Sequence, residues 1–316
     1  MNLQKLQKVQ NDKFYFEIAL KQAQKDLQRK FSKLPKDDVK RQKSIEIEKI
    51  KYFTRIITSN LNIIIESFPR ERDLNEFYRE LIDNNIGITK MKRELAKVKV
   101  AMKFIGGMHS KAIMNIRLAK EKGRIAKEKG AFLGRVGSIM RNIRKDLEEL
   151  EKIRKELKEL PTIKTEIRTV CIAGYPNVGK STLLKKLTSA NPEVNIYPFT
   201  TKNLMMGYVG KELQVIDTPG TFRNKEEMNK IEKQAYLAIK HLAEIIIFVI
   251  DFTESCGYEI ELQKEMLENV KRDFKDKKIV IYASKSDMME EEQAKKYSEE
   301  GIFLDSKKLK DFLLQK

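Results

Sequence analysis

Apolar residues recur at intervals of three and four from Leu3 to Leu160, and the only prolines in that stretch are Pro35 and Pro69. That spacing predicts helix almost throughout. Leu147, Leu150, Ile153, Leu157 and Leu160 form one stripe, with Lys152, Arg154, Lys155 and Lys158 mostly between them. The helix they mark is expected to stop at Pro161. Further breaks are expected at Leu34-Pro35, Phe68-Pro69 and Asn84-Asn85-Ile86-Gly87, which together give a bundle of about five or six helices.

Beyond Pro161 the period changes. Short apolar runs at Thr169–Ala173, Leu204–Val209, Leu213–Ile216, Ile245–Asp251 and Lys278–Ala283 alternate with helical segments, and a last helix is expected near Leu309–Leu314. Strands alternating with helices predict a mostly parallel sheet covered by helices. The expected architecture is an N-terminal all-α helical bundle, residues 1–160, followed by an α/β domain, residues 161–316.

The length of 316 residues fits two cores. The longest strongly apolar run, Ile245–Ile250, is far too short to span a bilayer, and the first ten residues are polar and basic, so neither a membrane anchor nor a signal peptide is expected. Cys171 and Cys256, with only His109 and His241 beside them, have no disulfide or zinc spacing, which points to a reducing cytoplasm. The net charge of +18 is divided unequally: residues 1–160 hold 39 Lys/Arg against 22 Asp/Glu. A field confined to the helical half draws a polyanion there, nucleic acid or an anionic membrane, unless it only keeps a helical surface soluble.

The chemistry lies in the second half. Gly174-Tyr175-Pro176-Asn177-Val178-Gly179-Lys180-Ser181 follows a predicted strand and opens a predicted helix, the setting of a phosphate-binding loop. Its glycines let the backbone wrap a phosphate chain, its N–H groups and the helix start supply positive potential, Lys180 reaches the β- and γ-phosphates, and Ser181, followed by Thr182, holds Mg²⁺. Asp217-Thr218-Pro219-Gly220 stands at a strand end, with Asp217 37 positions after Lys180. There a carboxylate can hold Mg²⁺ through water and Gly220 can sense the γ-phosphate. Between them Pro198-Phe199-Thr200-Thr201-Lys202 offers a threonine hydroxyl to close the metal shell, Thr201 being preferred to Thr200. The catalytic assignment is therefore Lys180, Thr201 and Gly220, with no general base.

Ser284-Lys285-Ser286-Asp287 follows the last predicted strand. Asp287 can accept from both the N1–H and the 2-amino group of guanine, a donor pair that adenine lacks, so the nucleotide expected is GTP or GDP. Ser284 departs from the usual Asn-Lys-x-Asp pattern, in which the asparagine ties this loop to the phosphate loop. Ser306-Lys307 supplies either a last backbone contact to the guanine or a plain helix cap. Asn177 either ligates a monovalent cation, K⁺, beside the phosphates or simply tolerates the turn.

Gly174–Thr182, Tyr197–Lys202, Val215–Gly220 and Phe248–Tyr258 resemble the nucleolar GTP-binding protein (NOG) family of the Obg-related GTPases, and the likeness reaches back through Leu133–Ile163, above all Leu157–Ile163. It covers essentially the whole chain, more loosely over the first hundred residues, and is nearest to the compact archaeal members, since eukaryotic members carry a long C-terminal extension. The resemblance implies a GTPase switch in assembly of the large ribosomal subunit, with the helical domain on ribosomal RNA, and a cytoplasmic location; the sequence leaves the oligomeric state open, with a monomer as the default. Thr221, where Ras-type GTPases carry the glutamine that orients water, implies slow intrinsic hydrolysis.

Between Lys111 and Arg144, basic residues alternate with apolar ones and with Gly123, Gly130, Gly134 and Gly137. A segment that bends around a nucleic-acid backbone is expected there. Two other readings stand beside the switch: an RNA-binding scaffold that holds guanine nucleotide for structure with negligible turnover, and a membrane-surface GTPase. Scattered aromatic residues and the lack of a lipidation signal speak against the second.

Overall fold

The structure is a computed structural model and describes residues 3, 6–28, 38–160, 163–188, 205–218, 228 and 230–315. The chain forms two compact units, one of residues 1–74 and 82–158, the other of residues 75–81 and 159–316.

Among the described residues of the helical half lie α1 (Asp12–Gln28), α2 (Asp38–Ser67), α3 (Glu76–Asn85), α4 (Ile88–Leu118), α5 (Lys122–Asn142) and α6 (Arg144–Glu159). The breaks expected at Phe68-Pro69 and before Gly87 are present; that at Leu34-Pro35 lies outside the described residues. Gly87 adopts φ 86°, a left-handed turn open to glycine at little cost. All five residues of the leucine stripe are buried. An aromatic chain runs through the bundle core, Phe16 edge-on to Phe53 at 5.3 Å and Phe53 edge-on to Phe132 at 5.9 Å, joining α1, α2 and α5.

The break between Lys111 and Arg144 falls at Ala119–Glu121, just before α5, and Gly123 lies in the first turn of that helix rather than at the break. Ala119 is fully buried and extended, its N–H shared by the carbonyls of Asn115 and Ile116. Gly130, Gly134 and Gly137 lie inside the helix α5. The bend is thus made by burying Ala119, while Gly130 and Gly134 leave bare backbone on the helix surface and Gly137 faces the Phe16 ring.

The second unit is built on a five-stranded sheet of order β2-β3-β1-β4-β5: β1 (Arg168–Ala173), β2 (Met205–Val209), β3 (Leu213–Asp217), β4 (Ala243–Ile250) and β5 (Lys278–Ala283). All neighbours are parallel except β2 and β3. The helices α7 (Lys180–Leu187), α8 (Lys230–Leu242), α9 (Ile260–Asp273), α10 (Glu291–Glu299) and α11 (Ser306–Leu314) follow the strands. Ile245–Ile250 is buried throughout, as a strand covered on both faces must be. Residues 75–81 join this unit because the buried hydroxyl of Tyr78 donates to the Ile163 carbonyl at 3.1 Å and accepts from the Ile163 N–H at 2.9 Å. Among the described residues no helix is long and apolar enough to cross a membrane.

Candidate functional site

The register pairs Ile172 with Asp217 and Ala173 with Phe248, so the C-terminal ends of β3, β1 and β4 lie side by side. The sheet order turns at β1, and the crevice above such a turning point is where open α/β sheets bind ligands. Gly174–Gly179 leaves β1 at that point and opens α7.

Two glycines shape the loop. Gly174 has φ 142°, and a Cβ there would lie 2.5 Å from the Val249 carbonyl oxygen, so only glycine passes between the strands. Gly179, at φ 98°, is the left-handed entry to α7. Asn177 also takes a left-handed conformation, φ 62°, one that asparagine tolerates better than most residues. Its side chain is exposed. Lys180 is buried, and its ammonium donates to the carbonyls of Gly174 at 3.0 Å and Tyr175 at 2.6 Å, which holds it across the mouth of the loop.

Ser181 Oγ donates to Asp217 Oδ2 at 2.6 Å, while Asp217 Oδ1 is buried with no hydrogen-bond partner among the described residues. Burial raises the Asp217 carboxyl above its ordinary value, against the hydrogen bond from Ser181 and the charge of Lys180. A hydroxyl and a half-satisfied buried carboxylate together are a donor set that suits a hard divalent cation such as Mg²⁺. Thr218 turns inward, its N–H and hydroxyl both donating to the Ile172 carbonyl, at 3.1 and 2.7 Å, which fixes the strand end below Asp217. Phe199, Thr200, Thr201, Pro219, Gly220 and Thr221 lie outside the described residues.

At the end of β5, Ser284 is buried against the phosphate loop: a Cβ on Gly179 would stand 3.5 Å from its own. Its hydroxyl donates to the Ile250 carbonyl at 3.2 Å. Lys285 is left-handed, φ 52°, and leads into a turn that leaves Asp287 exposed. Ser286 Oγ donates to the Leu304 carbonyl at 3.3 Å, joining this turn to the segment before α11. There Asp305 caps the helix, accepting from the Lys307 N–H at 2.7 Å, so Ser306 is the first helical residue and Lys307 N–H is already engaged.

Asp251, Thr253, Ser255 and Cys256, inside the Phe248–Tyr258 resemblance, and Gln263, beyond it, were given no site role by the sequence. Asp251 is fully buried directly after β4 and accepts from Lys285 Nζ at 2.7 Å. A carboxylate ending a run of six buried apolar residues was the signal available. Among the described residues no group of three or more His, Cys, Asp or Glu is placed to hold a metal ion.

Residues 3–164 match the model of the NOG1 N-terminal helical domain, and residues 169–285 match that of the 50S ribosome-binding GTPases. An uncharacterized protein of Methanocaldococcus jannaschii is 40% identical over 252 residues, 79% of this chain and 71% of that protein. Nucleolar GTP-binding protein 1 of Arabidopsis thaliana is 33% identical over 292 residues, 91% of this chain and 43% of that protein; that of Saccharomyces cerevisiae is 32% identical over 258 residues, 80% and 40%. The chain thus spans about four-tenths of the length of these eukaryotic relatives. The putative nucleolar GTP-binding protein 1 of Plasmodium falciparum, a crystal structure, is 32% identical and covers 46% of this chain and 78% of its own, with a TM-score of 0.35. The chain, a helical domain joined to a P-loop GTPase domain, belongs to the NOG1 family of GTP-binding GTPases.

Proposed function

We propose that the chain hydrolyses GTP to GDP and phosphate as a switch in assembly of the large ribosomal subunit, with the basic helical domain of residues 1–160 on ribosomal RNA and residues 161–316 as the GTPase domain. The observation that carries the GTPase reading is the hydrogen bond from the exposed Ser181 hydroxyl to the buried Asp217 carboxylate, near the Lys180 ammonium, with Asp217 Oδ1 left without a partner among the described residues.

In this reading the N–H groups of Gly174–Thr182 cradle the phosphates, and Lys180 leaves its carbonyl partners to neutralise charge between the β- and γ-phosphates. Ser181, Thr201 and Asp217, the last through water, hold Mg²⁺, which supplies neutralisation of phosphate charge. Thr218 and Pro219 keep Gly220 within reach of the γ-phosphate, and Phe199, Thr200 and Thr201 order around it, so that both segments relax once phosphate leaves. Asp287 reads guanine, Lys285 borders the base, and Ser306-Lys307 lies at the rim. Asn177 is the proposed ligand of K⁺. With Thr221 after Gly220, intrinsic turnover is slow.

The RNA half of the reading draws on the 39 Lys/Arg against 22 Asp/Glu of residues 1–160, on the names of the relatives and on the 50S ribosome-binding description of the matched family. The free thiols of Cys171 and Cys256, both buried, suit a reducing compartment, and the cytoplasm is the proposed location.

GTP turnover by the purified protein in KCl and in NaCl, each with and without large ribosomal subunits, tests the reading beside a Lys180→Ala control. Slow turnover that rises with subunits and is lost in the control is expected. Bound guanine nucleotide with no turnover under any of these conditions would replace the switch by an RNA-binding scaffold.

A further inference from the structure

The loop between β4 and α9 has no part in the functional reading above, yet it holds a dense set of hydrogen bonds beside the site. Asp251, fully buried, is surrounded by donors. Its Oδ1 accepts from the Thr253 N–H at 3.0 Å and the Thr253 hydroxyl at 2.5 Å. Its Oδ2 accepts from the Cys256 N–H at 2.8 Å, Lys285 Nζ at 2.7 Å and the Ser255 hydroxyl at 3.2 Å. Gln263, also buried, clamps the same residue from α9: its Oε1 accepts from the Asp251 N–H at 2.9 Å and its Nε2 donates to the Asp251 carbonyl at 3.1 Å and to that of Tyr258 at 2.9 Å. Tyr258 in turn packs on Tyr175 of the phosphate loop, ring centroids 4.6 Å apart. One loop therefore touches both the segment that wraps phosphate and the segment that reads the base.

Lys285 is the point of contact on the base side. A non-glycine residue in left-handed backbone is strained, and such strain persists where the surroundings enforce it. Here they do: the ammonium is fixed by Asp251 Oδ2 and, at 2.8 Å, by Ser255 Oγ. The backbone turn so held aims Asp287 outward. Ser284, where an asparagine would tie this loop to the phosphate loop, has a short hydroxyl that goes to Ile250 instead.

We propose that Asp251 is a positioning residue for guanine recognition: through the Lys285 ammonium it holds the turn that presents Asp287, and it supplies, from the β4–α9 loop, the tether that Ser284 does not. The inference rests on the guanine reading above. Burial pushes the Asp251 carboxyl up, but the hydrogen bonds from Lys285 and Thr253 outweigh it and hold the group at about 2, so Asp251 accepts as a carboxylate at any physiological pH.

The test measures GDP and IDP affinity of the full chain by competition with a fluorescent GDP analogue, together with the melting temperature, for wild type, Asp251→Asn, Ser255→Ala, Lys285→Met and the Asp251→Asn/Lys285→Met double variant. IDP lacks the 2-amino group, so the GDP-to-IDP ratio reports how well Asp287 is aimed, which a loss of stability alone leaves unchanged. Asp251→Asn is expected to weaken GDP binding about tenfold and to narrow the ratio, as loss of one charge-assisted hydrogen bond does. It is expected to add little in the Lys285→Met background, because both changes cut the same tether. Ser255 is exposed, and Ser255→Ala should fold even where Asp251→Asn does not; it should narrow the ratio in the same direction. Selective GDP binding with an unchanged ratio in every variant, or additive losses in the double variant, overturns the inference and leaves the guanine reading standing. A wild type that binds GDP and IDP alike overturns both.

Discussion

Ser181 Oγ and Asp217 Oδ2 lie 2.6 Å apart, which joins the first turn of α7 to the end of β3 and leaves the other carboxylate oxygen of Asp217 buried with no partner among the described residues. The carboxyl is raised above its ordinary value, chiefly by burial. A raised acid is one whose charge opposes folding at neutral pH, since the protonated form is the one the fold prefers. Asp217→Asn is therefore expected to stabilise the nucleotide-free protein, by about 1 kcal/mol, while removing the enhancement of GTP binding by Mg²⁺. Thermal melts without nucleotide and GTP binding with Mg²⁺ or EDTA check it. A variant that melts lower and still responds to Mg²⁺ would show that Asp217 is structural.

Gly174 passes so close to β4 that no side chain fits, with φ 142° and a hypothetical Cβ 2.5 Å from the Val249 carbonyl. Gly174→Ala should cost roughly 2–4 kcal/mol, the sum of backbone strain and displaced strand. The loss should appear both as a lower melting temperature and as lost nucleotide binding. Gly210→Ala is the control: it is also left-handed, φ 64°, but has nothing within 4 Å of the added carbon, so it should cost about 1 kcal/mol and leave binding intact.

The parts of this site that were legible in the sequence are those fixed by local backbone demands. Gly174 and Gly179 announce a strand-to-helix turn, the five apolar runs give all five strands, and the stripe from Leu147 to Leu160 gives a buried helix face. What was hidden depends on contacts distant in sequence. Tyr78 meets Ile163 across 85 positions, which carries the start of α3 into the second unit. Lys285 meets Asp251 across 34 positions, and neither residue's spacing records the pairing. The turn at Ala119 was missed for the same reason: it is made by burial, and alanine carries no mark of a break.

Acid should loosen both units, through different carboxylates. In the helical unit Glu94 is buried; burial raises its carboxyl, but the hydrogen bonds from Lys97 and Arg93 prevail and lower it to about 2. In the second unit Asp251 is held at about 2 as well. A carboxyl lower in the folded than in the unfolded chain adds stability that is complete above its unfolded value and lost as pH falls towards the folded one. Stability should thus hold from neutrality to about pH 5 and fall between roughly pH 5 and 2. Since Lys97 and Arg93 are partly in solvent, Glu94→Gln should cost about 2 kcal/mol at neutral pH. It should also flatten the acid loss of helical-unit protection in hydrogen exchange, and leave that around Asp251 as it was.

The charge of the helical unit makes its own prediction if it meets RNA. Lys120, Lys127 and Arg135 are exposed on or beside α5. Exposed cations of this kind contribute little to folding, so their removal reads binding rather than stability. Each cation placed on a phosphate releases a condensed counterion, and affinity then falls with salt in proportion to the number of such contacts. For the full chain on large-subunit RNA, a double-logarithmic slope of about −4 or steeper is expected between low and physiological salt. Replacing Lys120, Lys127 and Arg135 together by glutamine should leave the melting temperature within a degree or two and make the slope shallower by about 2. Filter binding at four salt concentrations checks this. Binding that is tight but indifferent to salt, or a triple variant with the wild-type slope, would move the RNA contact away from α5. No binding to RNA at any salt, with guanine nucleotide still bound, would leave the excess charge of residues 1–160 as a solubilising surface.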